Sequence, residues 1–165
     1  MPISSEAYRD ALRHFPAGVT LVTIKSGVAI HGLTVSAFAS VSPDPPLITV
    51  IIDHRHYAHE LLEQEGAVFA VNILRQDQVH LSNRFAWSQE DRFAVGDWTT
   101  AVTGAPVLAD ALAWLDCQIY DRLNVGNNTI YVGEIQASAV PNPDDKPLAY
   151  WNRDYQQLTT LPADE

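Results

Sequence analysis

The chain has 165 residues, 47% of them apolar and 18% charged, and a formal net charge of −10. That is enough chain for one domain with its own core. The acidic balance argues against nucleic acid and anionic membranes as partners, while leaving room for a local basic pocket.

The single cysteine, Cys117, excludes an internal disulfide. Met1 to Arg9 lacks a basic start followed by an apolar run, and no apolar stretch is long enough to span a bilayer. The expectation is one domain over residues 1–165, in the cytoplasm, without a membrane partner.

Ser5 to Phe15 reads as a short amphipathic helix, stopped by Pro16 and Gly18. Val19 to Ile24 is rich in β-branched residues, with a turn at Lys25-Ser26-Gly27. Val35 to Ser42 alternates: Val35, Ala37, Ala39 and Val41 on one side, Ser36, Phe38, Ser40 and Ser42 on the other. The run Pro43-Asp44-Pro45-Pro46 must turn or follow an edge. Leu47 to Ile52 is apolar throughout, which predicts cover on both faces.

A short helix is expected over His56 to Gln64, ended by Gly66, then a strand over Ala67 to Ile73 and a helix over Asp77 to Ala86. Trp87 to Pro106 reads mostly as loop. Ala113 to Tyr120 alternates, and Thr129 to Val140 is a long strand. A polar turn and the segment Leu148 to Leu158 close the chain. Many short strands with few helices predict a mainly β barrel or sandwich. No G-x-G-x-x-G follows a strand, which argues against a Rossmann fold.

Seven segments occur in order: FPAGVTLVT (Phe15 to Thr23), GLTVSAFASVSPDPPL (Gly32 to Leu47), FAVNIL (Phe69 to Leu74), SNRFA (Ser82 to Ala86), DRF (Asp91 to Phe93), GAPVL (Gly104 to Leu108) and GNNTIYVGEI (Gly126 to Ile135). Together they resemble the flavin reductase-like family, over roughly Tyr8 to Leu158. The resemblance implies an FMN-binding split β-barrel with Greek-key topology, homodimeric, with flavin at the dimer interface. The implied activity is reduction of FMN, or FAD, by NADH or NADPH, with reduced flavin passing to a partner monooxygenase.

The resemblance also implies site residues. The segment carrying Thr34, Val35, Ser36, Ala37, Ser40, Val41 and Ser42 would wrap the flavin, its amides and hydroxyls meeting the polar ring edge and the ribityl chain. The loop from Asp53 to His59 would hold the phosphate, through Asp53, Arg55, His56 and His59, because an arginine beside a helix start suits an anion. Tyr57 and Ala58 stand where the family's loop usually offers a small hydroxyl residue.

Arg84 and Phe85 would lie beside the flavin. Arg84 reads either as a phosphate contact or as a surface arginine paired with an acid. Asn72 either holds a neighbouring strand or touches the ligand. His54, His56 and His59 have no second cluster of metal-ligating residues, so no metal is expected.

Two positions depart from the family. Gly126-Asn127-Asn128 stands where it often has Gly-Asp-His, so Asn128 takes the place of a histidine associated with the nicotinamide. An amide hydrogen-bonds but does not titrate near neutral pH. In YWNRDYQQL (Tyr150 to Leu158), Asp154 stands where a glycine between two tyrosines is expected. Asn128 and Tyr155 are the candidate catalytic residues, and Trp151 reads as packing. A second reading is an FMN-binding electron-transfer protein without a productive nicotinamide site. A third makes His31 or His14 an iron ligand, as in haem-handling barrels.

Overall fold

The computed structural model describes residues 1–163. Among the described residues, twelve strands, all paired antiparallel, and three short helices are built around one seven-stranded sheet. Helix α1 (Ser5–Leu12) starts at Ser4, whose hydroxyl accepts from the Ala7 amide at 3.1 Å. It ends before the expected Phe15, because the His14 and Phe15 amides bond only three residues back and tighten the last turn. β1 (Ala17–Gly18) follows. β2 (Thr20–Ser26) and β3 (Ala29–Val35) form a hairpin. The strand runs through Lys25 and Ser26, so the turn is only Gly27-Val28, with Gly27 at φ +57°.

The expected single strand from Val35 to Ser42 is two strands. β3 ends at Val35 and β4 (Phe38–Pro43) begins after Ser36-Ala37. The physical reason is topological. β3 and β4 are the two edges of the seven-stranded sheet. One continuous strand cannot serve both edges, so the sheet curls until the edges meet at this two-residue link. No ladder joins them, and the barrel stays split.

β4 and β5 (Pro46–Asp53) form the proline-rich hairpin. The cover expected on both faces of β5 is not present in the single chain. Ile48, Val50 and Ile52 are buried, while Ile51 is 39% exposed. Register places Ile51 beside Ile130, and Ile130 beside Leu123. Leu123 and Val125 are also exposed. An apolar sheet face is therefore left open.

Helix α2 (Tyr57–Leu62) fills the barrel with Ala58, Leu61 and Leu62, against Val22, Val50, Phe69 and Tyr131. β6 (Val68–Ile73) leads to α3 (Val79–Trp87), which packs outside β2 and β3. This second core holds Leu21, Leu74, Leu81, Phe85 and Leu108. β2 is thus buried on both faces, which explains its apolar run. Gly32 lets α3 approach: a Cβ there would lie 2.5 Å from Phe85 Cε1.

The expected loop after Trp87 contains a 3₁₀ turn (Arg92–Ala94) and the hairpin of β7 (Trp98–Thr100) and β8 (Pro106–Leu108). β9 (Ala113–Val125) is longer than expected, β10 (Asn128–Ala139) has the expected length shifted by one residue, and the two join through Gly126-Asn127. β11 (Leu148–Trp151) and β12 (Asp154–Gln157) close the chain as a hairpin tied to β1. Asp154, at the position of the family's glycine, opens β12, and the left-handed backbone falls on Asn152 and Arg153 before it.

Candidate functional site

The cleft opens where β3 passes to β4. Two adjoining cavities of about 400 and about 200 Å³ share Leu33, Thr34, Ser36 and His56. α3, the 3₁₀ turn after it and the β11–β12 hairpin wall the larger one with Asn83, Phe85, Trp87, Arg92, Arg153 and Tyr155. The smaller one runs along the open sheet face past Val35, Ala37, Ile51, Asp53 and Asn128.

The structure therefore gathers many of the expected residues: Thr34 to Ala37, Asp53, His56, Phe85, Asn128 and Tyr155. Several are engaged within the protein. Thr34 Oγ1 donates to the Ser82 carbonyl at 2.6 Å. The Tyr155 hydroxyl donates to Asn83 Oδ1 at 2.9 Å and so accepts from Ser82 Oγ at 2.8 Å. Asn128 Nδ2 donates to Asn127 Oδ1 at 2.7 Å. Phe85 is fully buried, edge-on to Phe93 at 5.3 Å, so its ring is core and cleft wall at once.

Other expected residues are placed elsewhere. Ser40, Val41 and Ser42 lie farther along β4 and line neither cavity. Ser42 Oγ accepts from the Asp44 amide at 3.2 Å. The guanidinium of Arg55, 86% exposed, grips Asp53 through Nη2–Oδ2 at 2.8 Å and Nε–Oδ1 at 3.0 Å. These bonds hold the Asp53 carboxyl far below the usual carboxylate range.

His59 Nδ1 lies 2.6 Å from the Tyr131 hydroxyl, which donates to Glu63 Oε1 at 2.7 Å. His59 is therefore the donor of that pair. Burial, with Glu63 second, pushes the Tyr131 phenol up. Of the Asp53 to His59 loop, only Asp53 and His56 reach the cleft. Arg84 takes the structural alternative: it donates to the carbonyls of Asp91 and Arg92 and lies 3.6 Å from Glu90. Asn72 holds strands rather than a ligand.

Arg92, Asn83 and Trp87 carried no role in the sequence reading. Arg92 lies in the DRF segment, so a signal was present, but no spacing rule aims its side chain. Its Nη1 donates to the Gly32 carbonyl on the edge strand β3. Beside it, half-buried His31 stands edge-on to Tyr57 at 5.2 Å. Burial first, then the Arg92 cation and then His56, lowers the His31 pKa from its ordinary 6.5.

The folded state thus binds less proton at His31 than the unfolded chain does. The resulting stability is present above the unfolded pKa and is lost as pH falls through and below it. The urea midpoint is expected to fall between about pH 7.5 and about pH 5.5, and to fall less in His31→Gln. An equal drop in both proteins would assign the effect to other groups.

A curled, unclosed antiparallel sheet with a cation-bearing cleft at its edges defines a split β-barrel with a concave site. The particular family follows from sequence. Residues 12–159 match the flavin reductase like domain, and the chain belongs to that family. It is 39% identical over 132 residues to a probable flavin reductase of Rhizobium meliloti (strain 1021), covering 79% of this chain and 42% of that longer protein. It is 34% identical over 157 residues to the FMN reductase (NADH) RutF of Acinetobacter baylyi, covering 94% and 82%.

A third relative, 36% identical over 152 residues with 90% and 84% covered, is the reductase component of the FADH(2)-dependent resorcinol hydroxylase of Rhizobium sp. (strain MTP-10005). Among solved structures, flavin reductase HpaC complexed with NADP+ superposes with a TM-score of 0.87 at 30% identity, over 96% of this chain and all of that one.

Proposed function

We propose that this chain is an NAD(P)H-dependent flavin reductase that takes FMN, or FAD, in the cleft and serves a partner monooxygenase. The observation that carries the reading is the pair of adjoining cavities at the β3–β4 link. They bring the small and hydroxyl residues of Thr34 to Ala37 together with Arg92 and Arg153. Small side chains let backbone approach a flat ring, and the cations suit phosphate. The residues fit the group. Bound there, a flavin supplies the electron-accepting chemistry.

The chain's own work is positional. Ser36, with Val35 and Ala37 beside it, lines the ligand space. Phe85 and Leu33 make an apolar wall that excludes water. Tyr155, fixed by Asn83 and Ser82, holds α3 against the closing hairpin. Asn128 lines the smaller cavity and has no proton to exchange near neutral pH.

The open face around Ile51, Leu123 and Val125 is where a second copy would pack, placing Asn128 and Asp53 at a subunit boundary. Exposed apolar clusters of this kind mark interfaces. The electron-transfer reading rests on Asn128, since an amide stands at the place of the family's histidine.

The purified protein is expected to oxidise NADH or NADPH in proportion to added FMN, and to sediment as a dimer. No nicotinamide oxidation by a protein that retains FMN would sink the reductase reading in favour of electron transfer. A monomer at micromolar concentration would remove the shared-site geometry.

A further inference from the structure

The β11–β12 turn holds a cation over the cleft in a conformation that favours another residue. Trp151 pairs with Asp154, leaving a two-residue loop, Asn152-Arg153. Both have positive φ, +51° and +65°. That is the pattern of a type I′ turn, in which asparagine is welcome first and glycine second. An arginine at the second position meets a steric cost that glycine escapes.

The turn is pinned: the Asn152 amide donates to the Arg13 carbonyl at 2.9 Å, and Trp151 Nε1 to the His14 carbonyl at 3.0 Å. Arg153 lines the larger cavity. Among the described residues its guanidinium has neither an ion pair nor a hydrogen bond. Strain of this kind persists where the side chain serves a site. The exposed Arg55, by contrast, is occupied by Asp53.

We infer that Arg153 binds the phosphate of the nucleotide that occupies the cleft, with Arg92 as the second cation there. The inference rests on the flavin reductase reading and deepens it. The phosphate belongs either to the flavin or to the nicotinamide dinucleotide. Both sources present the same chemistry, an anion that a planar guanidinium binds through paired hydrogen bonds.

The decisive comparison uses the intact protein, Arg153→Gly and Arg153→Lys. Each is tested for FMN and riboflavin affinity, for KM of NADH and NADPH, and for thermal midpoint. Glycine suits the backbone, so Arg153→Gly is expected to keep or raise the midpoint while weakening one anion about tenfold. Arg153→Lys, which keeps the charge, recovers part of that loss.

Weaker FMN binding with unchanged riboflavin binding assigns the flavin phosphate. Unchanged FMN affinity with a raised KM for the nicotinamides assigns the dinucleotide. Unchanged values for all four ligands would overturn the inference and leave the flavin reading intact. Failure of the unaltered protein to bind any flavin would overturn that reading, and this one with it.

Discussion

Phe85→Ala is expected to lower stability by about 4 kcal/mol and to abolish flavin affinity. Phe85 is fully buried between β3 and the loop after α3, in contact with Phe93 and Trp98 at ring distances of 5.3 and 5.4 Å. Gly32 is shaped to it, so neither strand nor helix can move in without losing the others' contacts. The truncation therefore leaves a cavity as well as losing transfer free energy. The same ring lines the larger cavity, so the apolar wall opens to water. Urea unfolding and flavin titration check both halves. Phe85→Leu, expected to cost about 1.5 kcal/mol, separates the two. Should Phe85→Ala unfold at an unchanged urea midpoint, the ring does not hold β3 and α3 together.

Asn72→Ala is expected to cost about 3 kcal/mol without touching the cleft directly. Asn72 is fully buried in β6. Its Nδ2 donates to the Leu21 carbonyl at 3.0 Å and to Thr23 Oγ1 at 3.1 Å, and its Oδ1 accepts from the Leu108 amide at 2.7 Å. One side chain thus ties β2, β6 and the β8 strap together. Alanine would take the side-chain partner from the Leu108 amide and the Leu21 carbonyl in a fully buried site. Asn72→Asp should be as damaging at neutral pH, because a carboxylate cannot donate to Leu21. Denaturant midpoints measure the loss, and faster hydrogen exchange at Leu108 locates it. A neutral Asn72→Ala would show that the strap is held by packing alone.

Charge regulation adds little to either effect. Cys117, buried beside Asp116, has its thiol pushed up to about 12, chiefly by burial. It serves as core, in contact with the Phe69 cluster.

Much of the architecture was legible in the residues because it rests on local chemistry. Proline and glycine mark the turns at Pro43 to Pro46 and at Gly27. Period-two alternation marks β9, and seven ordered segments carry the family. β5 misled because apolar content records what will be covered, including by a second molecule, whereas the single chain covers only Ile48, Val50 and Ile52. The break at Ser36-Ala37 was hidden in an unbroken alternation, since nothing local tells a strand that its two halves belong to opposite sheet edges.

The site divides in the same way. The sequence alone determined the segments to which the family resemblance points, Thr34 to Ser42, Asp53 to His59, Ser82 to Ala86 and Tyr150 to Leu158, of which the cleft takes in only part. Their residue types already imply a polar, phosphate-bearing molecule. Only the tertiary structure decided which side chains are free to meet it. Arg55 is spent on Asp53, His59 on Tyr131 and Arg84 on backbone carbonyls; Arg92 lines the cleft with one nitrogen on the Gly32 carbonyl, and Arg153 lines it with no protein partner among the described residues. The physical reason is that a charged group's partner is settled by distances across the fold, and sequence spacing fixes those distances only within a single turn or strand.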